Sequence, residues 1–441
     1  MKKIELTPQK EFDSMADLVY ANSKADHTQI NFSDSANMTT RFANNQVIQN
    51  VAVRRPRLSV EVAFGKRVGR MSTDKFDPAS LKATVAKAEE IARLSPEDPE
   101  YMEPLPPQKY AKVDTYSKTT ADQEPDDLAD EVKDIVDRCE KNGCVGAGIV
   151  TANRSHVGIS TDKGLRAFEP RTRSSFSLTA TLPDSTGWTM NNHRKISKLN
   201  IKDRTTTAIE KAKASAGPTE VPAGHWEVIL EPAAVAGLLG PMIWMLGAKN
   251  YHKGNSPYVG KLNERILDER LQIATEPQNE LLLGTSFDSQ GMPYGKQLWV
   301  QNGVLKKLYY DRFTAQEHNE TPTPFPRAIT MGFQKPTASS REDLIRETKR
   351  GILVTNFWYI RFVNATDMTL TGMTRDGTFL IEDGKITAGV KNFRWHDSPL
   401  RVFAAVAGVT APHEAVSNER GKMLLPYMRL PDFNFSSVTR F

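Results

Sequence analysis

The residues most capable of catalysis or metal binding are eight histidines. Histidines closely spaced on a helix are the usual sign of a zinc-dependent hydrolase. No two of them lie within five residues of each other. They are His27, His156, His193, His225, His252, His318, His396 and His413. The sequence therefore lacks a local two-histidine zinc motif.

Two histidines are followed by a carboxylate. His413-Glu414 begins like a zincin motif, but the second histidine is missing both three and four residues after the glutamate. His396-Asp397 suggests a carboxylate that orients a histidine, but the sequence places no nucleophile beside it. Both pairs are predicted to make surface or interdomain hydrogen bonds.

Other catalytic signatures are also missing from the sequence. There is no GxSxG elbow, no P-loop, no GxGxxG after a strand and no paired CxxC, which excludes the easily recognised hydrolase, nucleotide-binding and zinc-ribbon classes. The two cysteines, Cys139 and Cys144, are too few for a disulfide framework, and Cys139 falls on the apolar face of a predicted helix. We expect a buried structural thiol and a reducing cytoplasm.

Composition and charge are those of an ordinary globular protein with about two domains: 441 residues, 39% hydrophobic and 25% charged. The net charge of +5 is spread along the chain, and its densest basic run, at 54–57, is interpreted as solvated surface, so no direct nucleic-acid binding is expected. The longest apolar run, 233–246, contains Pro241 and is shorter than the ~20 residues of a membrane span. The first residues lack an apolar signal region. We therefore expect a cytoplasmic protein without a membrane segment.

The first half of the chain predicts an N-terminal α/β domain, residues 1–218, with amphipathic helices on a small sheet. Asp77 before Pro78 is a typical N-cap and first helical residue. Helices are predicted over 8–22, 77–94, 125–142 and 200–216, and strands over 27–32, 47–53, 58–64 and 68–72, with two or three more strands within 145–182.

Residues 217–224 gather glycine and proline between periodic segments and mark the predicted boundary to a second domain, residues 219–441. A strand at 226–230 and an apolar, helix-like run from Pro232 open this domain. Short strands are predicted at 298–300, 304–310, 351–362, 369–371, 378–382 and 385–388, and are separated by Asn302-Gly303, Asp376-Gly377 and Asp383-Gly384, which favour tight hairpins. The expected fold class is α+β, with a C-terminal antiparallel β-rich, barrel-like domain.

Five segments of the second half form a recognisable series. They are GHWEVILEPAAVAGLL at 224–239, FDSQGMP at 287–293, NGVLKKLYYDRFTA at 302–315, KRGILVTNFWYIRFVN at 349–364 and GMTRDGTFLIEDGKI at 372–386. In this order they resemble the TldD/PmbA family, also called TldD/TldE and formerly described as modulators of DNA gyrase. The first half agrees more loosely, through TRFANNQVIQN at 40–50 and IARLSP at 91–96.

The catalytic subunit of that family carries HExxxH on the helix after the LEP-like strand, where two histidines and a later cysteine hold zinc and the glutamate activates water. The resemblance places these three positions at Gly240, Pro241 and Met245, and the last cysteine of this chain is already Cys144. Glycine and proline side chains offer no metal donor, and none of the three can act as a general base. The resemblance thus implies no catalytic residue, no metal ligand and no cofactor in this chain.

This chain keeps the family-like segments around the metal helix but lacks the metal ligands. In this it resembles the metal-free TldE/PmbA-type subunit. This implies a non-catalytic subunit of a cytoplasmic heteromeric metalloprotease, paired with a TldD-like chain that bears HExxxH and the zinc, or a homodimer. Its substrates would be unstructured peptides, bound by strand addition to a sheet edge.

Two alternatives stay open. One is a partner-free peptide-binding or regulatory protein, similar to a gyrase or toxin modulator. The other is an enzyme whose site has moved and uses His252, His396 or His413.

Peptide contacts are predicted at four polar residues within the family-like segments: Arg312, Arg361, Arg375 and Asp376. Ion pairs that support the fold are the other interpretation of these residues.

Overall fold

The computed structural model describes residues 4–417 and 421–439. The first sheet has the antiparallel order β3-β2-β1-β4-β5-β6. Its strands are β1 (His27–Ala43), β2 (Gln46–Phe64), β3 (Arg67–Thr73), β4 (Val145–Thr161), β5 (Arg166–Leu182) and β6 (Ser185–His193). The accompanying helices are α1 (Gln9–Asn22), α2 (Pro78–Leu94), α3 (Lys118–Ala121), α4 (Pro125–Lys141) and α5 (Ile201–Ala214), with a 3-10 turn at Ile196–Leu199.

The helices cover one face of this sheet, because alternate residues of its strands are apolar. Along β1 the buried apolar residues are Ile30, Phe32, Ala36, Met38 and Phe42. They form two adjacent cores, one with α1 and α2 and one with α4 and α5. The opposite face of the sheet carries the intervening, mostly polar side chains and is free of these helices.

The second half of the chain adds two further sheets. Its helices are α6 (Pro232–Trp244), α7 (Ala248–His252), α8 (Arg312–Glu317), α9 (Arg341–Arg346) and α10 (Pro399–Val402). Its strands are β7 (Gly224–Leu230), β8 (Leu271–Thr275), β9 (Gln297–Gln301), β10 (Val304–Leu305), β11 (Ile329–Phe333), β12 (Arg350–Val354), β13 (Phe357–Asn364), β14 (Thr369–Thr374), β15 (Thr378–Glu382), β16 (Lys385–Gly389), β17 (Phe393–Asp397), β18 (Gly408–Val409), β19 (His413–Ser417), β20 (Gly421–Leu425) and β21 (Met428–Val438).

The second sheet has the order β10-β9-β8-β11-β20-β19, and the third has the order β13-β14-β17-β21-β7-β12-β15-β16, with β18 paired to β21. The third sheet curls into a half-barrel. The expected α+β class, with a β-rich and barrel-like second half, is therefore confirmed. Antiparallel pairs dominate, but β7 pairs with β12 and β11 pairs with β20 in parallel.

Several predicted strands differ from the observed ones. The strands expected at 47–53 and 58–64 are one strand, β2, which passes through the basic run, because Arg54 forms an ion pair of 2.7 Å with the fully buried Asp34 of β1. The basic run is thus only partly solvated surface. At 351–362 the chain instead forms two strands, β12 and β13. Asp376-Gly377 does not close a hairpin, since β14 and β15 are not neighbours in the sheet.

The two halves of the chain pack against each other through polar contacts. Arg194, directly after β6, donates a hydrogen bond of 2.8 Å to the carbonyl oxygen of Leu282. Lys422 of β20 donates one of 2.5 Å to the carbonyl oxygen of Asn192. The domain boundary between 218 and 219 stays a prediction. No helix among the described residues is long and apolar enough to cross a bilayer.

Candidate functional site

The helix that the sequence resemblance points to is α6, which begins directly after β7. Pro232 is its first residue, a position where the missing amide hydrogen of proline costs nothing. Apart from Ala233 and Trp244, its residues are buried, because the segment is apolar on every side. The helix is thus a core element, which packs against β13, β19 and β20.

The C-terminal end of α6 is held by the segment that follows it. Pro241 lies inside the helix and has no amide hydrogen to donate to the preceding turn. The hydroxyl of Tyr258 donates a hydrogen bond of 3.0 Å to the carbonyl oxygen of Met242. The hydroxyl of Ser256 donates one of 3.2 Å to the carbonyl oxygen of Met245. These contacts supply donors to carbonyl oxygens at the end of the helix, where the last carbonyls have no amide partner within the helix.

Zinc does not fit the residues at the three family ligand positions. Gly240, Pro241 and Met245 are all buried, and Met245 belongs to the main apolar core of the second half. Their side chains supply at most a thioether, whereas zinc sites in proteins use imidazole, thiolate and carboxylate. Within residues 4–417 and 421–439, no group of three or more His, Cys, Asp or Glu is placed to hold a metal ion.

The three histidines of the relocated-site alternative lie on different elements. His252 is at the end of α7, His396 is in β17 and His413 is in β19. Across the described part of the chain, no hydrogen bond, ion pair or ring contact joins them. This geometry does not assemble a catalytic group from the three.

His252 instead forms a pair with another histidine. Its ring stacks on that of His318, with centroids 3.4 Å apart, and its Nε2 lies 3.0 Å from the hydroxyl oxygen of Tyr310. Burial, and then the neighbouring imidazole, lower the pKa of His252. Face-to-face stacking directs the lone pairs of the two rings away from a common point, so the pair does not form a metal site.

The four predicted peptide-contact residues are not gathered in one place. Arg361 and Arg375 lie at β13 and β14, where their Cζ atoms stand 4.3 Å and 4.6 Å from the ring centroids of Tyr359 and Trp358. Asp376 is buried, and its Oδ2 is 3.5 Å from Nε of Arg375. Their contacts with peptide stay predictions.

Arg312 lies apart from the other three, in a cleft between the two halves of the chain. The cleft has a volume of about 460 Å³ and is formed by the helix-free face of the first sheet and by residues from 285–294 and 309–327. Its cationic side chains are those of Arg57, Arg171, Arg312 and Arg327. Its aromatic residues are Phe32, Phe287, Tyr294, Tyr309 and Phe325.

Sequence reasoning identified only Arg312 among these cationic residues. Arg57 is in β2 and Arg171 in β5. Exposed and buried residues alternate along this part of each strand, which indicates that both arginines lie on the helix-free face. This alternation does not predict that residues 285–327 pack over that face, because this contact joins segments more than 100 residues apart.

A second exposed feature is β13, which forms one edge of the third sheet. Its first residue, Phe357, is buried, but Trp358, Tyr359, Phe362 and Val363 are exposed. An exposed edge strand presents unpaired backbone donors and acceptors to any extended chain. Apolar side chains along such an edge are typical of a binding surface.

Comparison with known proteins agrees with the sequence resemblance. Residues 223–437 match the model of the PmbA/TldA metallopeptidase C-terminal domain. An uncharacterised protein of Methanocaldococcus jannaschii is 23% identical over 74% of this chain and 76% of its own length. A metalloprotease of Methanothermobacter thermautotrophicus is 24% identical over 45% of this chain and 46% of its own length. A TldD metalloprotease homologue of Buchnera aphidicola is 25% identical over 49% and 44%, respectively. The chain thus spans less than half the length of the two relatives named as metalloproteases.

Solved structures share the fold over nearly the whole chain. TldE of Thermococcus kodakarensis superimposes with a TM-score of 0.86 at 18% identity, over 97% of this chain and 100% of that one. A Thermotoga maritima protein named as a candidate modulator of DNA gyrase gives 0.82 at 19% identity, over 96% and 99%. The chain belongs to the TldD/PmbA family through residues 223–437, which match the family model, and it shares the fold of these solved structures over nearly its whole length.

Proposed function

We propose that this chain is the non-catalytic subunit of a TldD/TldE-type heteromeric metalloprotease that acts on unstructured peptides in the cytoplasm. The zinc and the catalytic glutamate belong to a TldD-like partner that carries HExxxH. This chain contributes shape, partner contacts and part of the peptide-binding surface.

The observation that carries this proposal is that α6 is a buried helix without metal-binding side chains at the family ligand positions. In a family named for metallopeptidases, the helix at the metal positions is packed into the core, and Gly240, Pro241 and the next residue after the helix, Met245, are buried. Restoring a site would require several simultaneous changes, together with a late cysteine that the sequence does not have. A subunit that keeps the family fold but has no metal ligands is expected when catalysis takes place in its partner.

Peptide binding is supported by the edge strand β13. A segment in extended conformation can add to it through backbone hydrogen bonds, which are independent of side-chain sequence and therefore suit unstructured peptides. The exposed Trp358, Tyr359, Phe362 and Val363 offer apolar contacts along the same edge.

The test is co-expression of this chain with an HExxxH-bearing family member from the same source, followed by size-exclusion chromatography, elemental analysis and peptide hydrolysis assays. We expect a one-to-one complex that contains zinc and cleaves unstructured peptides. This chain alone should neither contain zinc nor cleave peptides. Stoichiometric zinc and chelator-sensitive hydrolysis by this chain alone would overturn the proposal.

The second candidate is a peptide-binding regulatory protein that works without a protease partner, alone or as a homodimer. It is favoured by the fact that β13 and the arginine-lined cleft both belong to this one chain. Peptide binding by the isolated chain, with no complex formed with the HExxxH-bearing member, would support it over the first.

A further inference from the structure

The cleft between the two halves of the chain has an unusual charge balance. Four arginines line it, against two aspartates, Asp288 and Asp311. Its volume of about 460 Å³ is in the range of about 300–1,000 Å³ typical of ligand sites.

The arginines of the cleft have few carboxylate partners. Arg57 donates to the hydroxyls of Ser59 and Ser72, at 3.3 Å and 3.0 Å. Arg312 donates to the carbonyl oxygen of Glu103. In the described part of the chain neither forms an ion pair, and none is found for Arg327.

Arg171 has hydrogen-bond partners for only part of its guanidinium group. Its Nε contacts Oε2 of Glu169 at 2.5 Å, but its Nη2 is buried and has no hydrogen-bond partner among the described residues. A buried guanidinium nitrogen without an acceptor is costly unless a ligand supplies one. Burial also lowers the pKa of Arg312, and the negative charges of Asp288 and Glu103 offset this only in part.

The two aspartates of the cleft accept hydrogen bonds from backbone amides close to them in sequence. Oδ1 of Asp288 accepts hydrogen bonds from the amides of Gln290 and Met292, at 2.8 Å and 2.9 Å. Asp311 caps α8 through Oδ1, which accepts from the amide of Thr314 at 2.8 Å. Among the described residues neither carboxylate forms an ion pair with the arginines of the cleft, and Asp288 acts on Arg312 only through its charge at longer range.

We propose that this cleft binds the carboxylates of an acidic peptide, with the guanidinium groups of Arg57, Arg171, Arg312 and Arg327 as the recognition elements. Arginine suits this role because its planar fork pairs with both oxygens of a carboxylate. The aromatic rings at the cleft provide apolar contact for the intervening residues. This inference rests on the proposed peptide-binding function and adds a substrate class to it, namely peptides rich in Asp and Glu or ending in a free carboxylate.

The test uses fluorescence anisotropy with labelled decapeptides and the full chain, alone and with its partner. One peptide carries several Asp and Glu residues and an amidated C-terminus. A second is its Asn and Gln counterpart with the same amide, and a third is that neutral peptide with a free C-terminal carboxylate. Comparison of the three separates side-chain from terminal carboxylates.

The variants are Arg57→Gln, Arg327→Gln and Arg312→Gln, with Arg138→Gln on α4, outside the cleft, as the matched control. Arg57 and Arg327 are exposed, so their variants should fold normally, which thermal unfolding verifies. Each should weaken binding of a carboxylate-bearing peptide by roughly tenfold, the loss expected for one charge-assisted contact, and leave the neutral amide unaffected. Added salt should weaken the same binding in the wild type.

Equal affinity for the acidic and neutral peptides overturns this inference but leaves the proposed function intact, because the neutral peptide still binds. An equal loss with Arg138→Gln, or tighter binding of a single-stranded oligonucleotide than of any peptide, also overturns it. Arginine-dependent binding of the acidic peptide without complex formation supports the inference while contradicting the heteromeric subunit.

Discussion

The hydroxyl of Thr186 in β6 donates a hydrogen bond of 2.8 Å to Oδ1 of Asp376, which links the first sheet to the turn after β14. Asp376 has a left-handed backbone, with φ of 57°, and its side chain is nearly inaccessible. Burial raises the pKa of this carboxyl group. These features describe a residue that holds two parts of the fold together.

Asp376→Asn should therefore leave the free energy of unfolding unchanged or higher at pH 7 to 8. A carboxyl whose pKa is raised in the folded state contributes stability below its unfolded pKa and loses it as the pH rises through the folded pKa. The amide keeps the acceptor for Thr186, tolerates the left-handed backbone and carries no charge. Urea unfolding at several pH values measures this. The predicted role in peptide contact would appear instead as a loss of peptide affinity with stability unaltered.

His193 should give the protein a pH dependence between about 4 and 6.5. It is buried, its Nδ1 accepts a hydrogen bond of 2.9 Å from the amide of Lys195, and burial, followed by the charge of Lys422, lowers its pKa to about 4. The unfolded chain takes up the proton first as the pH falls from 6.5, so stability is complete above 6.5 and falls by about 3 kcal/mol towards pH 4.

His193→Asn tests this contribution, because its Oδ1 can replace Nδ1 as an acceptor without titrating. The slope of the unfolding free energy against pH should become shallower in this window. His396→Asn, at an exposed histidine, is the control and should keep the wild-type slope. Identical slopes for the wild type and His193→Asn would contradict the assignment.

Tyr258→Phe should destabilise the protein by about 1–2 kcal/mol. The variant removes the donor to the carbonyl oxygen of Met242 and leaves that oxygen buried, next to a proline that already interrupts the helix bonding. Urea unfolding, with Tyr116→Phe at an exposed tyrosine as the control, measures the difference. A change as small as that of the control would mean that the end of α6 does not depend on this contact.

Val363→Lys should weaken peptide binding by roughly tenfold while changing the unfolding free energy by less than about 0.5 kcal/mol. Val363 is 54% exposed on β13, where a lysine discourages the addition of another strand. The matched control is Ile386→Lys, because Ile386 is 40% exposed on β16 at the other edge of the same sheet. Anisotropy with the neutral peptide provides the measurement. Equal losses for both variants would argue against β13 as the peptide edge.

Local features of the fold could be predicted from the sequence. Asp77 caps α2 through a hydrogen bond of 3.0 Å from the amide of Ser80, as the Asp-Pro pair indicated. Asn302-Gly303 and Asp383-Gly384 both adopt positive φ between paired strands. Cys139 is buried, and burial raises the pKa of its thiol to about 11. In each case the physics involves residues that are close in sequence.

Non-local features could not be predicted in the same way. The basic run at 54–57 breaks the apolar alternation of β2, and only its pairing with the buried Asp34 explains why the strand continues through it. The arginine cleft needs three segments that share no local pattern. The sequence predicts a helix-like apolar run from Pro232, where α6 forms, but the contacts of Tyr258 and Ser256 with its end depend on the path of the chain after residue 245.

The position of β21 in the third sheet has a consequence for biosynthesis. This strand lies between β17 and β7, and the register joins Met428 to Leu230. During translation β7 emerges nearly 200 residues before the neighbour it needs, so one edge of a strongly apolar strand stays unpaired for most of the synthesis of the second half. The half-barrel can therefore close only after translation has passed β21, and an incompletely synthesised chain exposes an edge that chaperones or other nascent chains can bind.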